Sequence, residues 1–430
     1  MFAASNYNQH MQFENTLAFA RKMDKNDPLR ALRKEFYIPK IGGKESIYLC
    51  GNSLGLQPKS VEKHVMTEIE DWRKYGVEGH LHARNPWLYY HHLFTKPLSN
   101  LVGAKKDEVV CMNNLTVNLN LMMVTFYRPK GKKTKIVIEG SAFPSDYYAV
   151  EQQIRFHGLA AEKNIIELLP RKGEVTLRTE DIIATLDKHK DEIALVLLGA
   201  VNYYSGQFFD IKTISKACQK NDLTLGLDLA HAIGNVELKL HDWKVDFATW
   251  CSYKYLNSGP GGVSGVFIHN KYAKRPDLPR FAGWWGNEEK TRFKMSKNFV
   301  PKEGAAGWQL SNAPVMNMAA HKASLEIFEK AGMANLRKKS ELLTGYLFWL
   351  LESQQSTVKG QLRVITPKTA ADRGCQVSLQ TGKDGKKIFD RLSKAGVIAD
   401  WREPDVIRVA PVPLYNSFED VWKFAQLINE

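Results

Sequence analysis

The chain of 430 residues has the composition of a large globular protein. It is 44% hydrophobic and 25% charged, which is enough for an extensive core and two domains. Its net charge of +14 is spread along the sequence, without five adjacent basic residues. A basic enzyme for an anionic small molecule fits this distribution as well as the alternative, a nucleic-acid-binding protein without catalysis.

The cysteines and the first residues indicate the compartment. Cys50, Cys111, Cys218, Cys251 and Cys375 are widely spaced and form no CxxC pair, a pattern typical of reduced thiols that argues against a zinc site. The N-terminus lacks the basic and apolar regions of a signal peptide, and no apolar run nears the roughly 18 residues of a membrane span. We therefore expect a soluble cytoplasmic protein with no metal and no membrane partner.

Strand-like and helix-like segments alternate through the middle of the chain. Strands are predicted at residues 136–138, 193–198, 223–229, 245–250 and 263–268, with helices at about 180–189 and 211–221. This alternation predicts an α/β fold in which a mainly parallel central sheet is covered by helices on both faces. Such sheets bind ligands at the carboxyl ends of their strands.

The pattern changes after about Ala319. Long helices are predicted at 320–332 and 336–353, short strands at 374–379 and 406–409, and a last helix from about Ser417. We expect a large domain at 61–319 and a smaller α+β domain at 320–430. The first segment, residues 1–60, is expected to pack with the small domain.

Two chemically informative residues follow neighbouring predicted strands. Asp228 ends one strand, with His231 three residues later, and Lys254 follows the next strand, after Tyr253 and before the glycine-rich turn 258–262. Pyridoxal phosphate (PLP) requires a lysine that forms a Schiff base with its aldehyde and a carboxylate that keeps its pyridine nitrogen protonated. The pair therefore predicts a PLP site. A surface lysine and a helix-capping aspartate are the alternatives.

Other segments offer groups that suit the rest of such a ligand. Residues 114–118 begin a predicted helix, whose free N–H groups and Thr116 hydroxyl suit a phosphate, although a plain helix cap fits equally. Phe143 can stack on a flat ring or lie in the core, and Asp146 follows it. Arg408 can bind a carboxylate bidentately, although surface pairing is the default for an arginine taken alone.

Several longer motifs resemble those of the kynureninase family, PLP enzymes of the aspartate-aminotransferase-like fold. They are Leu49-Cys-Gly-Asn-Ser-Leu-Gly-Leu-Gln-Pro58, Gly79-His80, Asn85-Pro-Trp87, Phe143-Pro-Ser-Asp146, Asp228-Leu-Ala-His231, Gly234-Asn-Val-Glu-Leu238, Cys251-Ser-Tyr-Lys-Tyr-Leu-Asn257, Arg292-Phe-Lys-Met295 and Ile407-Arg-Val-Ala-Pro-Val-Pro413. They extend over most of the chain. The Asp–His and Tyr–Lys pairs are shared with cysteine desulfurases, whereas the Gly-Asn-Ser-Leu-Gly and Arg-Val-Ala-Pro segments are more specific.

The resemblance implies an activity and an assembly. The expected reaction is hydrolysis of the Cβ–Cγ bond of L-kynurenine or 3-hydroxy-L-kynurenine, which yields L-alanine and anthranilate or 3-hydroxyanthranilate, in tryptophan catabolism or NAD biosynthesis. The expected assembly is a homodimer with shared active sites. A cysteine desulfurase is the nearest rival, but Cys375, its only candidate for a mobile nucleophile, stands where a strand is predicted to begin.

The resemblance also implies a role for each site residue. Lys254 would hold PLP and move the Cα proton, and Tyr253 is the candidate acid at Cβ. The cofactor would be bound by Leu115, Thr116, Phe143, Asp146, Asp228, His231, Tyr253 and Lys254, and by Trp284 and Asn312 of a second subunit. The substrate would be surrounded by Ser53, His80, Ser311, Asn312 and Arg408. Gly199 replaces a serine of some relatives, and Asn287 replaces a histidine, which leaves the preference between the two kynurenines open.

Overall fold

The computed structural model describes residues 12–140, 142–353 and 362–429. Within these ranges the helices are α1 (Leu17–Asn26), α2 (Val61–Tyr75), α3 (Gly79–His82), α4 (His92–Val102), α5 (Leu115–Phe126), α6 (Pro144–Phe156), α7 (Ala161–Asn164), α8 (Thr179–His189), α9 (Ile211–Lys220), α10 (Leu240–Trp243), α11 (Val315–Ala331), α12 (Met333–Ser353), α13 (Gly385–Lys394) and α14 (Phe418–Asn429). The strands are β1 (Lys40–Ile41), β2 (Lys44–Glu45), β3 (Ile47–Tyr48), β4 (Val109–Cys111), β5 (Lys135–Glu139), β6 (Ile165–Leu168), β7 (Ile193–Gly199), β8 (Leu225–Asp228), β9 (Phe247–Trp250), β10 (Gly265–Ile268), β11 (Arg363–Val364), β12 (Val377–Gln380), β13 (Val397–Ile398), β14 (Asp400–Arg402) and β15 (Val406–Val409).

The central sheet confirms the predicted α/β architecture. Its strand order is β4-β10-β9-β8-β7-β5-β6, and the five strands from β9 to β6 run parallel. Among the described strands of this sheet, β10 alone runs opposite to the rest, and it pairs antiparallel with both β4 and β9. The connection from β9 to β10 contains no helix, whereas a parallel return usually uses a helical crossover.

Both faces of the central sheet are buried. In β7, Leu195 and Leu197 belong to one apolar cluster, whereas Val196 and Leu198 belong to another. Successive side chains of a strand point to opposite faces, so the two clusters are the two sides of the sheet. This is why the strand sequences are apolar throughout and do not alternate with polar residues.

The parallel strands place four chain segments along one edge. Glu139, Gly199, Asp228 and Trp250 are the last residues of β5, β7, β8 and β9, which are neighbours in that order. Gly199 is in register with Asp228. The loop that carries Lys254 begins directly after Trp250. Asp228 and the start of the Lys254 loop therefore lie at adjacent strand ends, as the sequence predicts.

Residues 363–409 build a separate antiparallel sheet, β11-β12-β15-β14, in which Arg408 faces Ser378. The N-terminal segment contacts two cores: Phe19 and Ile47 pack in the core of this second sheet, and Leu32 and Phe36 pack in the large core. The helix α11 packs against α2 and α4. The division at residues 60 and 319 stays a prediction.

Several predicted elements begin a few residues from the expected position, with the largest shift at α11. The helix expected at 320–332 begins at Val315, directly after Pro314. The strand expected at 374–379 begins at Val377, because Cys375 N–H donates to Asn235 Oδ1 at 2.8 Å and does not join the ladder. None of the described helices combines the length and the apolar character that crossing a membrane requires.

Candidate functional site

A cavity of about 520 Å³ opens at the carboxyl edge of the central sheet. Ten residues that the sequence predicts for the site line it: Ser53, Leu115, Thr116, Phe143, Asp146, Asp228, His231, Tyr253, Lys254 and Arg408. They come from six separate parts of the chain. The fold therefore brings together an amine, carboxyl groups, an aromatic ring and a guanidinium in one concave site.

Lys254 points into this cavity. Its Nζ lies 2.9 Å from His231 Nε2 and 5.9 Å from the centre of the Phe143 ring. Burial, and then the charge of Lys254, lower the pKa of His231 well below its usual value. His231 is therefore neutral at physiological pH, and its Nε2 accepts a hydrogen bond from the lysine ammonium.

The loop that carries Lys254 packs against Gly55 of the N-terminal segment. Gly55 N–H donates to the carbonyl oxygen of Tyr253 at 2.8 Å. A Cβ atom on Gly55 would lie 2.3 Å from the carbonyl oxygen of Lys254 and 2.3 Å from Asn257 Oδ1. The glycine in the Gly-Asn-Ser-Leu-Gly motif thus permits close approach of two backbones.

Asp228 and Asp146 form a buried pair of carboxyl groups. Asp228 accepts a hydrogen bond from Ala230 N–H at 2.6 Å. Burial raises the pKa of Asp146 well above its usual value, and the charge and hydrogen bond of Asp228 raise it further. Asp146 therefore keeps its proton, and its O–H donates a hydrogen bond to Asp228.

Two helix N-termini meet at one end of the cavity. Asn114 Oδ1 caps α5 by accepting from Val117 N–H at 3.4 Å, and the cavity is lined by Leu115 and Thr116 in the same first turn. Thr116 Oγ1 lies 3.0 Å from the hydroxyl of Ser145, in the first turn of α6. Free N–H groups, two hydroxyls and two positive helix ends are a donor set for a phosphate. The segment therefore combines a helix cap with donors that suit an anion.

Arg408 closes the cavity from the second sheet and is 1% exposed. Its Nη1 donates to the carbonyl oxygen of Tyr203 at 2.5 Å, and its Nη2 bonds to Asp400. Burial lowers the pKa of Arg408 to about 10, so it is still a cation at neutral pH. Its Nε has no hydrogen-bond partner in the described part of the chain, which leaves a buried donor for a ligand carboxylate.

This donor set fits PLP group by group. The amine of Lys254 suits the aldehyde, the carboxyl group of Asp228 suits the pyridine nitrogen, and the helix N-termini suit the phosphate. Comparisons with known proteins agree. A family model described as "Kynureninase C-terminal domain" matches residues 336–428. The kynureninase of Myxococcus xanthus is 53% identical over 418 residues, 97% of each chain.

The chain belongs to the kynureninase family. As a kynureninase it is a PLP-dependent hydrolase that cleaves kynurenine. Solved structures support the fold of PLP enzymes: the apo cysteine desulfurase of Thermococcus onnurineus has a TM-score of 0.74 at 18% identity, covering 93% of this chain and 96% of its own. A C-DES mutant with glycine covalently linked to its PLP cofactor also has a TM-score of 0.74, at 15% identity, covering 89% and 96%.

The desulfurase alternative gains no support in a kynureninase with this site. Cys375 is 0% exposed, and burial raises the pKa of its thiol to about 12. A buried, protonated thiol is a poor nucleophile. Membership in a family of enzymes also argues against the alternative of a non-catalytic nucleic-acid-binding protein.

Four residues that the family resemblance assigns to the site lie outside this chain's cavity. They are His80, Trp284, Ser311 and Asn312. Trp284 is 45% exposed, and Ser311 and Asn312 are also exposed. Their two segments are joined on one surface, because Trp285 N–H donates to the carbonyl oxygen of Leu310 at 3.4 Å. His80 lies beside Trp87, with ring centres 5.6 Å apart.

The cavity also contains residues that we did not predict, namely Asn52, Glu139, Asn202, Tyr203 and Arg402. Asn52 lies inside a motif that carries the resemblance. Glu139 ends a strand in the same way as Asp228, so the strand-end rule offers a signal for it. Nothing local in the sequence distinguishes Tyr203 or Arg402.

Proposed function

We propose that this cavity binds PLP and kynurenine with the residue roles that the resemblance implies. The observation that carries the proposal is the position of Lys254 Nζ, which faces Phe143 and contacts His231 in the same cavity as Asp228. PLP, when bound, withdraws electrons from the Cα of an amino acid and thereby permits cleavage further along its side chain. The side chains of the protein bind the substrate and move its protons.

Lys254 and the acid pair hold the reacting groups. Neutral His231 accepts a hydrogen bond from Lys254 without forming an ion pair, so the amine keeps its place and remains able to move a proton at Cα. Protonated Asp146 and Ala230 N–H both donate to Asp228. These bonds fix the orientation of the Asp228 carboxylate and stabilise its charge beside a pyridine N–H.

Tyr253 is the candidate acid that protonates Cβ. Burial, and then the neighbouring Cys251, raise the pKa of its hydroxyl above the usual value. The hydroxyl is therefore fully protonated at neutral pH. It precedes Lys254 in the chain and lines the same cavity, which suits delivery of a proton to the fragment that becomes alanine.

The substrate carboxylate is assigned to Arg408, and Ser53 lines the same cavity. Asp400 and the Tyr203 carbonyl orient the guanidinium. His80, Ser311 and Asn312 would contribute to substrate binding in a homodimer whose sites are shared. Support for the homodimer comes from exposed apolar side chains near Trp284, namely Phe281 at 55%, Phe293 at 63% and Met295 at 73% exposed.

Asn287 does not select the ring substituent from within this chain's cavity. It is buried, and its Oδ1 accepts a hydrogen bond from Val300 N–H at 2.8 Å. We propose that both kynurenine and 3-hydroxykynurenine are accepted in the cytoplasm, in tryptophan catabolism or NAD biosynthesis. Comparing the turnover of the two compounds decides the preference.

The proposal is tested by spectroscopy and turnover together. Purified protein with PLP should show a Schiff-base absorption band that borohydride bleaches, and it should release fluorescent anthranilate from kynurenine. Lys254→Ala should lose both signals. Lys212→Ala, which removes an exposed lysine on α9, is the matched control and should keep both. A bleachable band that persists in Lys254→Ala contradicts the proposal.

A further inference from the structure

A third acid lies beside the Asp146–Asp228 pair, and neither the family comparison nor the sequence gives it a role. Glu139 ends β5, lines the cavity and is 3% exposed. Its Oε1 accepts a hydrogen bond from Gly199 N–H at 2.6 Å, and its Oε2 accepts from Asn202 Nδ2 at 2.7 Å. Because Gly199 is paired with Asp228 in the sheet, the two acids lie on either side of one strand.

Glu139 is also tied to the residues that face the ligand. Asn202, which donates to it, accepts hydrogen bonds from Tyr204 N–H and Ser205 N–H and so holds the turn that contains Tyr203. Tyr203 packs edge-on against Phe143, with ring centres 5.3 Å apart, and its carbonyl binds Arg408. One carboxyl group thus connects the sheet edge to both walls of the cavity.

We propose that Glu139 is a positioning residue of the reaction, which fixes the Tyr203 turn and supplies a negative charge beside the Asp146–Asp228 pair when it is ionised. The inference rests on the proposed cofactor site. A Cβ atom on Gly199 would lie 2.9 Å from Glu139 Oε1, so glycine at this position is what allows the carboxyl group to reach the backbone N–H.

The charge of Glu139 changes near neutral pH. Burial raises its pKa to about 7, and the charge of Asp228 adds to this, while the hydrogen bonds from Asn202 and Gly199 oppose it. The other titratable groups that face this cluster are Asp146, whose pKa Glu139 raises, and Lys254, which lowers the pKa of Asp146. Above pH 7 the ionised Glu139 therefore stabilises positive charge on a bound ligand.

The test is a pH titration of the absorption band of the PLP-loaded protein. Glu139→Gln removes the carboxylate and keeps the size of the side chain, so positive charge on the bound ligand is less stabilised. The pH at the midpoint of the alkaline change in the absorption band should therefore fall by about 0.5 to 1 pH unit. Glu139→Asp keeps a carboxyl group, and its midpoint pH should be close to the wild-type value. Glu167→Gln is the matched control: it changes an acid of the next strand, β6, that bonds Tyr147 and does not line the cavity, and its midpoint should equal the wild-type value.

The outcomes separate this inference from the proposed function. A wild-type protein without a bleachable band refutes the cofactor site itself. A normal wild-type band together with an unchanged midpoint in Glu139→Gln overturns only the role of Glu139. If Glu139→Gln does not fold, Asn202→Ala decides, because it leaves the carboxyl group but removes one of the bonds that favour its charge. Its midpoint should fall by less than that expected for Glu139→Gln, and an unchanged value overturns the inference.

Discussion

The contact between Gly55 and the Lys254 loop predicts a large effect from one methyl group. Gly55 has an ordinary backbone conformation, since it is absent from the residues with positive φ, and Gly55→Ala therefore causes no backbone strain. Its new Cβ would lie 2.3 Å from the Lys254 carbonyl oxygen and 2.3 Å from Asn257 Oδ1. Because a normal contact distance is about 3.5 Å, the two segments must separate by about 1 Å.

A displacement of this size acts on both stability and catalysis. Overpacking of a buried contact costs about 1–3 kcal/mol of unfolding free energy. A shift of about 1 Å in a reacting group lowers kcat by about 100-fold. We expect Gly55→Ala to release anthranilate much more slowly than the wild type and to unfold at a lower urea concentration. Its kcat should change more than its KM.

The matched control is Gly345→Ala in α12. The nearest atom to a Cβ at Gly345 is 3.9 Å away, and replacing glycine inside a helix stabilises it by about 0.5–1 kcal/mol. This variant should keep wild-type kcat and unfold at a slightly higher urea concentration. If Gly55→Ala has the same kcat as Gly345→Ala, the N-terminal segment does not position Lys254, and the reasoning is wrong.

Three further perturbations follow from particular contacts. Arg408→Lys loses the forked donor held by Asp400 and the Tyr203 carbonyl, so the KM for kynurenine should rise about 10-fold or more with a smaller change in kcat; an unchanged KM assigns the carboxylate elsewhere. Burial lowers the pKa of His321 to about 3, so unfolding takes up a proton below about pH 6.5 and stability falls as the pH falls. His321→Phe should therefore reduce the slope of unfolding free energy against pH, between pH 6 and 4, by about 1.4 kcal/mol per pH unit. If the variant and the wild type have equal slopes, His321 is not a buried neutral imidazole. Mixing inactive Lys254→Ala with inactive Asn312→Ala should restore about a quarter of the sites if subunits exchange and share active sites, whereas no recovery after verified exchange contradicts the shared site.

The sequence predicts the centre of the site better than its walls. Asp228 and Lys254 follow apolar strands, and parallel strand order alone places their ends side by side. Tyr203 cannot be found in this way, because its turn is defined by hydrogen bonds to Asn202. The Thr116–Ser145 contact joins residues 29 positions apart, and it depends on how two helices meet. The helix α11 begins at Val315, before the helix predicted at 320–332, because an apolar period defines the interior of a helix better than its ends.

The shared fold and the different reaction of the desulfurase neighbours have a physical explanation in how the cavity is built. The central sheet supplies the groups that suit a cofactor, with Asp228 and Lys254 at its strand ends. The opposite wall comes from other parts of the chain, namely Ser53 before α2 and Arg408 in the second sheet. Neither part belongs to the central sheet, so both can change without disturbing its strand order. Cys375 illustrates the point: in this chain its backbone N–H donates to Asn235 and its side chain is fully buried, so it offers no mobile thiol to the cavity.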